Sequence, residues 1–152
     1  MPAWKTICCA VDFSESSRFA LEEAADLARR FAAELILVHV YQAPRAASET
    51  LFVSPPAIYE ELMGEAEKKL EAWRRDAERL AGLKVTAVMP SGHAAEEILR
   101  FARERSVDLI VLGTHGRRGV RHFVVGSVAE QVVRQACATV LVARAPRPSG
   151  RG

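Results

Sequence analysis

The sequence predicts an α/β fold: an open, doubly wound sheet of five parallel strands with helices on both faces. Five short apolar runs are separated by four segments with helical periodicity. The runs are continuous rather than alternating, as in strands that are buried on both faces. In addition, a glycine-containing stretch connects the fourth run to a helix, which is typical of ligand-binding loops in such sheets.

The chain opens with a strand, a helix and a second strand. Residues 6–11 are apolar and are followed by Asp12 and by Ser14, which suits the N-cap of the first helix. A second apolar run covers residues 35–40. A strand, a helix and a second strand in this order form the right-handed crossover unit of a parallel sheet. The inward positions of the helix are predicted to be Ala20, Ala24, Leu27, Ala28 and Phe31.

Residues 42–56 contain three prolines and no sustained periodicity, so we predict a long loop there. Two interpretations stay open, a flap beside a ligand site and a loosely ordered connector. A long amphipathic helix starting at Ile58 should follow and end at Gly82. Its apolar positions are Leu62, Ala66, Leu70, Trp73, Ala77 and Leu80.

The second half of the chain continues the alternation. Residues 84–88 alternate in polarity, which indicates an edge strand with one face partly wet. The remaining predicted elements are a helix after Gly92, a strand at residues 109–112, a helix from Ser127 and a last strand at residues 139–143. The inward positions of the first of these helices are Ala95, Ile98, Leu99 and Ala102. We expect a single domain over residues 1–145 and a disordered tail at residues 146–152.

Composition argues against several classes of protein. The formal charge of +2, from 21 basic and 19 acidic side chains, provides no field for nucleic acid or anionic lipid. No apolar run is long enough to span a bilayer and no secretory signal is visible, so we expect a cytoplasmic protein with no membrane partner. Cys8, Cys9 and Cys137 lack metal-ligand spacing and are expected to be buried, reduced thiols.

The most informative motif begins at Gly113-Thr114-His115-Gly116 and ends, nine residues later, at Gly126-Ser127. A glycine after a strand allows a sharp turn. A Gly-Ser pair at the start of a helix offers N–H groups, a hydroxyl and the positive end of the helix dipole. These features suit a polyphosphate, although the glycines would also serve turn geometry alone.

The spacing G-x-x-G-x9-G-S resembles the signature of the universal stress protein family, in its ATP-binding branch. The similarity extends over nearly the whole chain, through residues 7–14, 37–41 and 140–142. It implies a Rossmann-like sheet with strand order 3-2-1-4-5. In that order the connections from strands 1 and 4 leave in opposite directions, which opens a crevice at their carboxyl ends.

The resemblance also implies a set of contacts. Asp12 would accept hydrogen bonds from the ribose hydroxyls or the adenine amino group, unless it only caps the first helix. Val40 would pack against adenine, and Gly113, Gly116 and Gly126 would border the sugar and phosphates. From their position between the glycines, Arg117, Arg118, Arg121 and His122 would add positive charge near the phosphates, unless they are only solvated loop residues. The predicted nucleotide-binding residues are Ala10, Val11, Asp12, Val40, Gly113, His115, Gly116, Arg117, Gly126, Ser127 and Val128.

Catalytic signatures do not accompany this motif. The chain lacks a P-loop, a G-x-G-x-x-G fingerprint, the glycine-rich loop of ATP pyrophosphatases and a nucleophile elbow. We therefore expect an ATP-binding regulatory protein with little or no turnover, Mg²⁺ arriving with the phosphates and no dedicated metal site. The alternatives are a slow ATPase and a sensor of AMP or cyclic AMP. By resemblance, the last strand would form a homodimer; a monomer with a shielded edge is the other interpretation.

Overall fold

The computed structural model describes residues 3–42, 56–114 and 125–145. Five parallel strands form one sheet in the order β3-β2-β1-β4-β5. This confirms the predicted doubly wound, Rossmann-like fold. The elements in chain order are β1 (Thr6–Ala10), α1 (Glu15–Phe31), β2 (Glu34–Val38), α2 (Pro56–Ala81), β3 (Val85–Val88), α3 (Ala94–Glu104), β4 (Leu109–Gly113), α4 (Ser127–Gln135) and β5 (Thr139–Ala143).

Two apolar layers cover the two faces of the sheet. Successive residues of a strand point to opposite faces, so Ile7 and Cys9 pack under α1 and α2 while Cys8 and Ala10 pack under α3 and α4. β2 and β4 divide in the same way. This double burial explains why the central strands are continuously apolar in the sequence.

The predicted helix signals are confirmed at two ends. The Ser14 hydroxyl accepts the Ser17 N–H at 3.1 Å and caps α1. Gly82 adopts a left-handed φ of 66° directly after α2 and donates its N–H to the Glu78 carbonyl at 2.9 Å. α2 begins at Pro56, so the predicted loop is wrong at its last residue; proline suits a first helical turn because its missing N–H is not needed there.

Some predicted boundaries and burials are wrong. β1 ends at Ala10 and β2 at Val38, one and two residues earlier than predicted. Beyond these ends the pairing continues as single hydrogen bonds, such as those from the Val11 N–H to the Val38 carbonyl and from the His39 N–H to the Val88 carbonyl. Phe31 and Leu80 are about as exposed as polar surface residues, at 42% and 46%. Ile58 and Leu62 are exposed too. A helical stripe wider than the sheet it covers leaves its flanking residues in solvent.

The cysteine prediction is correct for two of the three thiols. Cys8 and Cys9 are fully buried in β1, and burial raises the pKa of Cys8 to about 12. Cys137, by contrast, is exposed before β5, which corrects the expectation that it is buried. Among the described helices, none combines the length and apolar character that a bilayer crossing requires.

The amino ends of the central strands are tied to one another. Asp108, just before β4, accepts the N–H groups of Lys5 and Thr6 through Oδ2, at 2.9 Å each. Its own N–H donates to the Thr6 carbonyl at 2.9 Å. These two backbone N–H donors hold the pKa of the Asp108 carboxyl below its usual range. Hydrogen bonds therefore hold the residues before β1 and β4 together at this end of the sheet.

Candidate functional site

The carboxyl ends of β1 and β4 are neighbours in the sheet, and the connections that follow them lead to helices on opposite faces, α1 and α4. β1 pairs with β2 on one side and with β4 on the other, and the chain leaves β1 toward α1. Val11 stays hydrogen-bonded beyond β1, since its N–H donates to the Val38 carbonyl at 2.9 Å. Ligands of open α/β sheets bind at such switch points.

A cavity of about 150 Å³ lies at this point, between the ends of β1, β2 and β4 and the starts of α3 and α4. Its wall contains all the predicted nucleotide-binding residues that the structure describes, namely Ala10, Val11, Asp12, Val40, Gly113, Gly126, Ser127 and Val128. The other predicted contacts, His115, Gly116 and Arg117, lie outside the described residues, as do Arg118, Arg121 and His122. Residues 43–55 and 146–152 lie outside them as well.

Asp12 holds the turn between β1 and α1. Its Oδ1 accepts the Ser14 N–H at 3.0 Å, and its own N–H donates to the Ser17 hydroxyl at 3.3 Å. Asp12 therefore stabilises the turn that leads into α1, whereas the cap of the helix itself is Ser14. A contact between Asp12 and a ligand is a separate prediction.

The opposite wall of the cavity is the start of α4. Gly126 is the N-cap residue, and no side chain of the described residues caps the helix there. The Gly126 N–H donates to the Thr114 carbonyl, which fixes the helix start to the end of β4. The first turn of α4, with the exposed residue Ser127, therefore lines the cavity at the positive end of the helix dipole.

Gly113 has a packing role that the sequence does not reveal. A Cβ at this position would lie 2.3 Å from Ser16 Oγ and 2.7 Å from the Ser16 carbonyl carbon and oxygen. The first turn of α1 therefore approaches β4 too closely for any side chain. The glycine is required by this packing, and its proposed role beside a ligand is an additional prediction.

Other residues of the cavity wall were not predicted as site residues. Ser17 and Thr114 add buried hydroxyl groups, and Ala94 and Ile98 of α3 add apolar surface. Thr114 lies inside the glycine motif, so its position was the available signal. Ser17 looked like an ordinary residue of the first helical turn, and only the fold brings it beneath Asp12.

A layer of aromatic side chains lies next to Asp12 in the chain, and its Phe13 and Trp73 pack on the face of the sheet that α1 and α2 cover. Phe13 adopts a left-handed φ of 66°, which is costly for a bulky residue. Its ring contacts the His39 ring at 4.4 Å and the Trp73 ring at 5.4 Å between centroids. The buried His39 donates from Nδ1 to the Val11 carbonyl at 2.8 Å. Sequence reasoning missed this layer because isolated aromatic residues at strand ends look like core.

A second and larger cavity, of about 530 Å³, lies above this aromatic layer, between α2 and the end of β2. Asp12 and Val40 belong to the walls of both cavities. The described residues contain no cluster of three or more histidine, cysteine or acidic side chains that would hold a metal ion.

Comparisons with known proteins agree with this architecture. The model of the universal stress protein family matches residues 3–144. Universal stress protein MJ0531 of Methanocaldococcus jannaschii is 34% identical over 150 residues, covering 95% of this chain and 84% of that protein. The solved structure of MJ0577 from the same organism matches with a TM-score of 0.82 at 30% identity, over 97% of this chain and 100% of that chain.

A universal stress protein solved in complex with cAMP has a TM-score of 0.70. It covers 95% of this chain and 100% of that chain at 23% identity, so the likeness concerns the fold.

Proposed function

Because this chain belongs to the universal stress protein family, we propose that it binds an adenine nucleotide, ATP in particular, and signals through occupancy rather than turnover. One observation carries the proposal. The carboxylate of Asp12 and the start of α4 line a single cavity at the switch point between β1 and β4. A nucleotide has the matching polarity, with hydroxyl and amino donors at one end and anionic phosphates at the other.

The phosphates would lie against the start of α4. Gly126, Ser127 and Val128 offer N–H groups there, and no side chain of the described residues occupies the cap. An anion at a helix N-terminus is favoured by both the N–H donors and the dipole. Gly116, His115 and Arg117 are proposed to complete this contact, and Mg²⁺ would come with the phosphates.

The nucleoside would lie toward β1 and β2. Asp12 would accept hydrogen bonds from the ribose or the adenine amino group, while Val40, Ala10 and Val11 would form the apolar surface against the base. The small side chain of Ala10 and the burial of Val11 suit a flat ring packed on strand ends.

Isothermal titration of ATP with Mg²⁺ tests the proposal, with Asp12→Asn as the variant and Asp26→Asn on the exposed face of α1 as its matched control. Asn keeps an acceptor for the Ser14 N–H but loses the charge. Because hydrogen bonds to charged groups are the stronger ones, we expect Kd to rise about tenfold in Asp12→Asn and to stay unchanged in Asp26→Asn. Absence of ATP binding at millimolar concentration, or equal Kd values for Asp12→Asn and the wild-type protein, would contradict the proposal.

The same titration with AMP and cyclic AMP separates the two nucleotide classes. The small volume of the cavity and the cAMP complex of a protein with this fold favour a monophosphate as the second candidate. ATP binding more tightly than AMP supports the first proposal, because the added phosphates reach the start of α4. Tighter binding of AMP or cyclic AMP supports the second.

A turnover assay with labelled ATP addresses enzymatic function. We expect hydrolysis well below about one per second, because nothing in the described cavity combines a nucleophile with a base. A rate in the ordinary enzymatic range would contradict signalling by occupancy and identify the protein as an enzyme.

We further propose a cytoplasmic homodimer that pairs through β5 (Thr139–Ala143). At the other edge of the sheet, Glu78 accepts the Val85 N–H at 3.1 Å and Arg74 donates to the Val85 carbonyl at 3.2 Å, so α2 shields the start of β3. β5 is exposed at Thr139 and half-buried at its next three residues. An accessible apolar edge favours pairing with a second copy.

Light scattering after size exclusion tests the dimer. A lysine on an edge strand opposes pairing, so Thr139→Lys should convert a dimer of about twice the chain mass into a monomer. Lys84→Thr beside the other edge should stay dimeric. A monomeric wild-type protein at 100 micromolar, or a Thr139→Lys variant that stays dimeric, would contradict this interface.

A further inference from the structure

The cavity between α2 and the end of β2 has no role in the function proposed so far. It measures about 530 Å³, against about 150 Å³ for the cavity at the start of α4. Sites for ligands of nucleotide size usually occupy about 300 to 1,000 Å³. The smaller cavity alone is below that range, and the larger one lies within it.

The two cavities meet at the residues assigned to the nucleoside. Asp12 and Val40 line both of them. A ribose hydroxyl or an adenine amino group that reaches Asp12 therefore stands at the entrance to the larger cavity. A group attached to that atom would have the larger cavity within reach.

The chemistry of the larger cavity suits a planar, partly apolar group. Phe13 and Tyr41 contribute aromatic rings, and Leu62 and Ala66 of α2 contribute aliphatic surface. The Lys69 ammonium lies 6.0 Å from the centre of the Phe13 ring, at a cation–π distance. His39, Gln42 and Glu65 add polar groups to the same wall, so the cavity suits a planar group with both apolar and polar edges.

The Phe13 ring is held in place by its neighbours, so it forms a fixed part of the cavity wall. It is fixed between the rings of His39 and Trp73, and its backbone stays in the left-handed region that a bulky residue seldom adopts. Trp73 is in turn covered by the Arg18 guanidinium at 5.2 Å, and Arg18 pairs with Asp76 at 2.9 Å. Such preorganisation reduces the ordering cost of binding.

From these observations we propose that the preferred ligand is an adenine nucleotide that carries a second planar ring on its nucleoside end. This inference rests on the proposed nucleotide site and specifies its ligand class. The 5′-phosphates lie at the start of α4, the adenosine lies over Asp12 and Val40, and the second ring packs against the wall of the larger cavity that contains Phe13 and Tyr41.

Two extended nucleotides and ATP test the proposal by titration. The probes are N6-benzyl-ATP, extended at the adenine amino group, and 2′(3′)-O-(N-methylanthraniloyl)-ATP, extended at the ribose. Burial of an additional ring in an apolar site gives about a tenfold gain in affinity. We expect at least one probe to bind about tenfold more tightly than ATP, and the better one identifies the group that faces Asp12.

Cavity-filling variants assign that gain to the larger cavity. Ala66→Phe places a ring in its wall, and Ala72→Phe places the same ring on an exposed position of the same helix. The gain should vanish in Ala66→Phe and persist in Ala72→Phe, while both variants bind ATP like the wild-type protein.

A second pair of variants keeps the test decisive if Ala66→Phe folds poorly. Leu62→Ala removes part of the apolar wall and should reduce the gain at least threefold, whereas Leu80→Ala, which truncates an exposed leucine of the same helix, should not. ATP that binds while neither probe gains affinity, or a gain that survives both Ala66→Phe and Leu62→Ala, would overturn this inference and leave the nucleotide site standing. Failure of ATP and both probes to bind would instead overturn the proposed function.

Discussion

The two ends of the sheet differ in how the neighbouring strands β1 and β4 are joined. At the amino end, Asp108 accepts the N–H groups of Lys5 and Thr6, and the loops before β1 and β4 are hydrogen-bonded together. At the carboxyl end, the same two strands separate around a cavity that Asp12 and the start of α4 line. Asp108 accepts hydrogen bonds that hold the strands together, whereas Asp12 lies in the cavity where a ligand would bind.

This difference suggests a division between stability and binding. Substitutions at the amino end should change the free energy of unfolding and leave nucleotide affinity alone. Substitutions of cavity side chains at the carboxyl end should lower nucleotide affinity and leave the free energy of unfolding unchanged. Gly113 is an exception, because it serves both binding and stability. It lines the cavity, and the packing of α1 against β4 also requires a glycine there.

The largest effect is expected for Gly113→Ala. The new Cβ would lie 2.7 Å from the backbone of Ser16, which a side-chain movement cannot relieve. Overpacking of this kind costs about 1–3 kcal/mol, and we expect the upper part of that range in urea unfolding. Gly64→Ala in α2 is the matched control, since a Cβ there meets nothing within 4 Å and alanine favours a helix. Unchanged stability of Gly113→Ala would contradict the assigned contact.

The next effect is expected for Asp108→Ala at the amino end. Loss of the shared acceptor leaves two strand N–H groups without their bonds, so unfolding free energy should fall by about 1–2 kcal/mol at pH 7, after allowance for partial exposure. ATP affinity should stay the same. A larger effect on affinity than on stability would break the proposed division.

The stabilisation by Asp108 should also depend on pH. Because its pKa is lowered in the folded protein, the contribution is fully present above the unfolded pKa of about 3.9. It is lost as pH falls through the lower folded value. The difference in unfolding free energy between wild type and Asp108→Ala should therefore be constant between pH 6 and 8 and shrink below about pH 4. A difference that grows on acidification would contradict this assignment.

The smallest effect on stability is expected for Asp12→Asn. The amide oxygen of Asn can still accept the Ser14 N–H, so unfolding free energy should change by less than about 0.5 kcal/mol. The same variant is expected to lose nucleotide affinity, which makes it the mirror image of Asp108→Ala. Destabilisation by more than about 1 kcal/mol would mean that Asp12 serves the fold first.

The sequence predicted the parts of the molecule that depend on local pattern. Apolar runs identified the five strands, and the strand-to-helix position of Gly126 and Ser127 placed one wall of the cavity. Strand order came from family resemblance, because periodicity does not encode which strands are neighbours. Parallel pairing is set by packing between distant segments.

What the sequence could not predict depends on tertiary contacts. The close approach of Ser16 to Gly113 joins residues 97 positions apart, and nothing local in either segment signals it. The stack of Phe13 on His39 needs the left-handed turn after Asp12, which a phenylalanine does not suggest. The position of Phe31 also depends on tertiary contacts. Its ring contacts Trp4, with the ring centres 5.1 Å apart, and stays 42% exposed.

The most direct test is a crystal structure of the protein soaked with millimolar ATP and Mg²⁺. The phosphates should lie against the N–H groups at the start of α4, with the nucleoside beside Asp12 and Val40 at the carboxyl ends of β1 and β2. A crevice that contains only solvent, or a nucleotide bound elsewhere on the surface, would contradict the assignment of this end of the sheet to nucleotide binding.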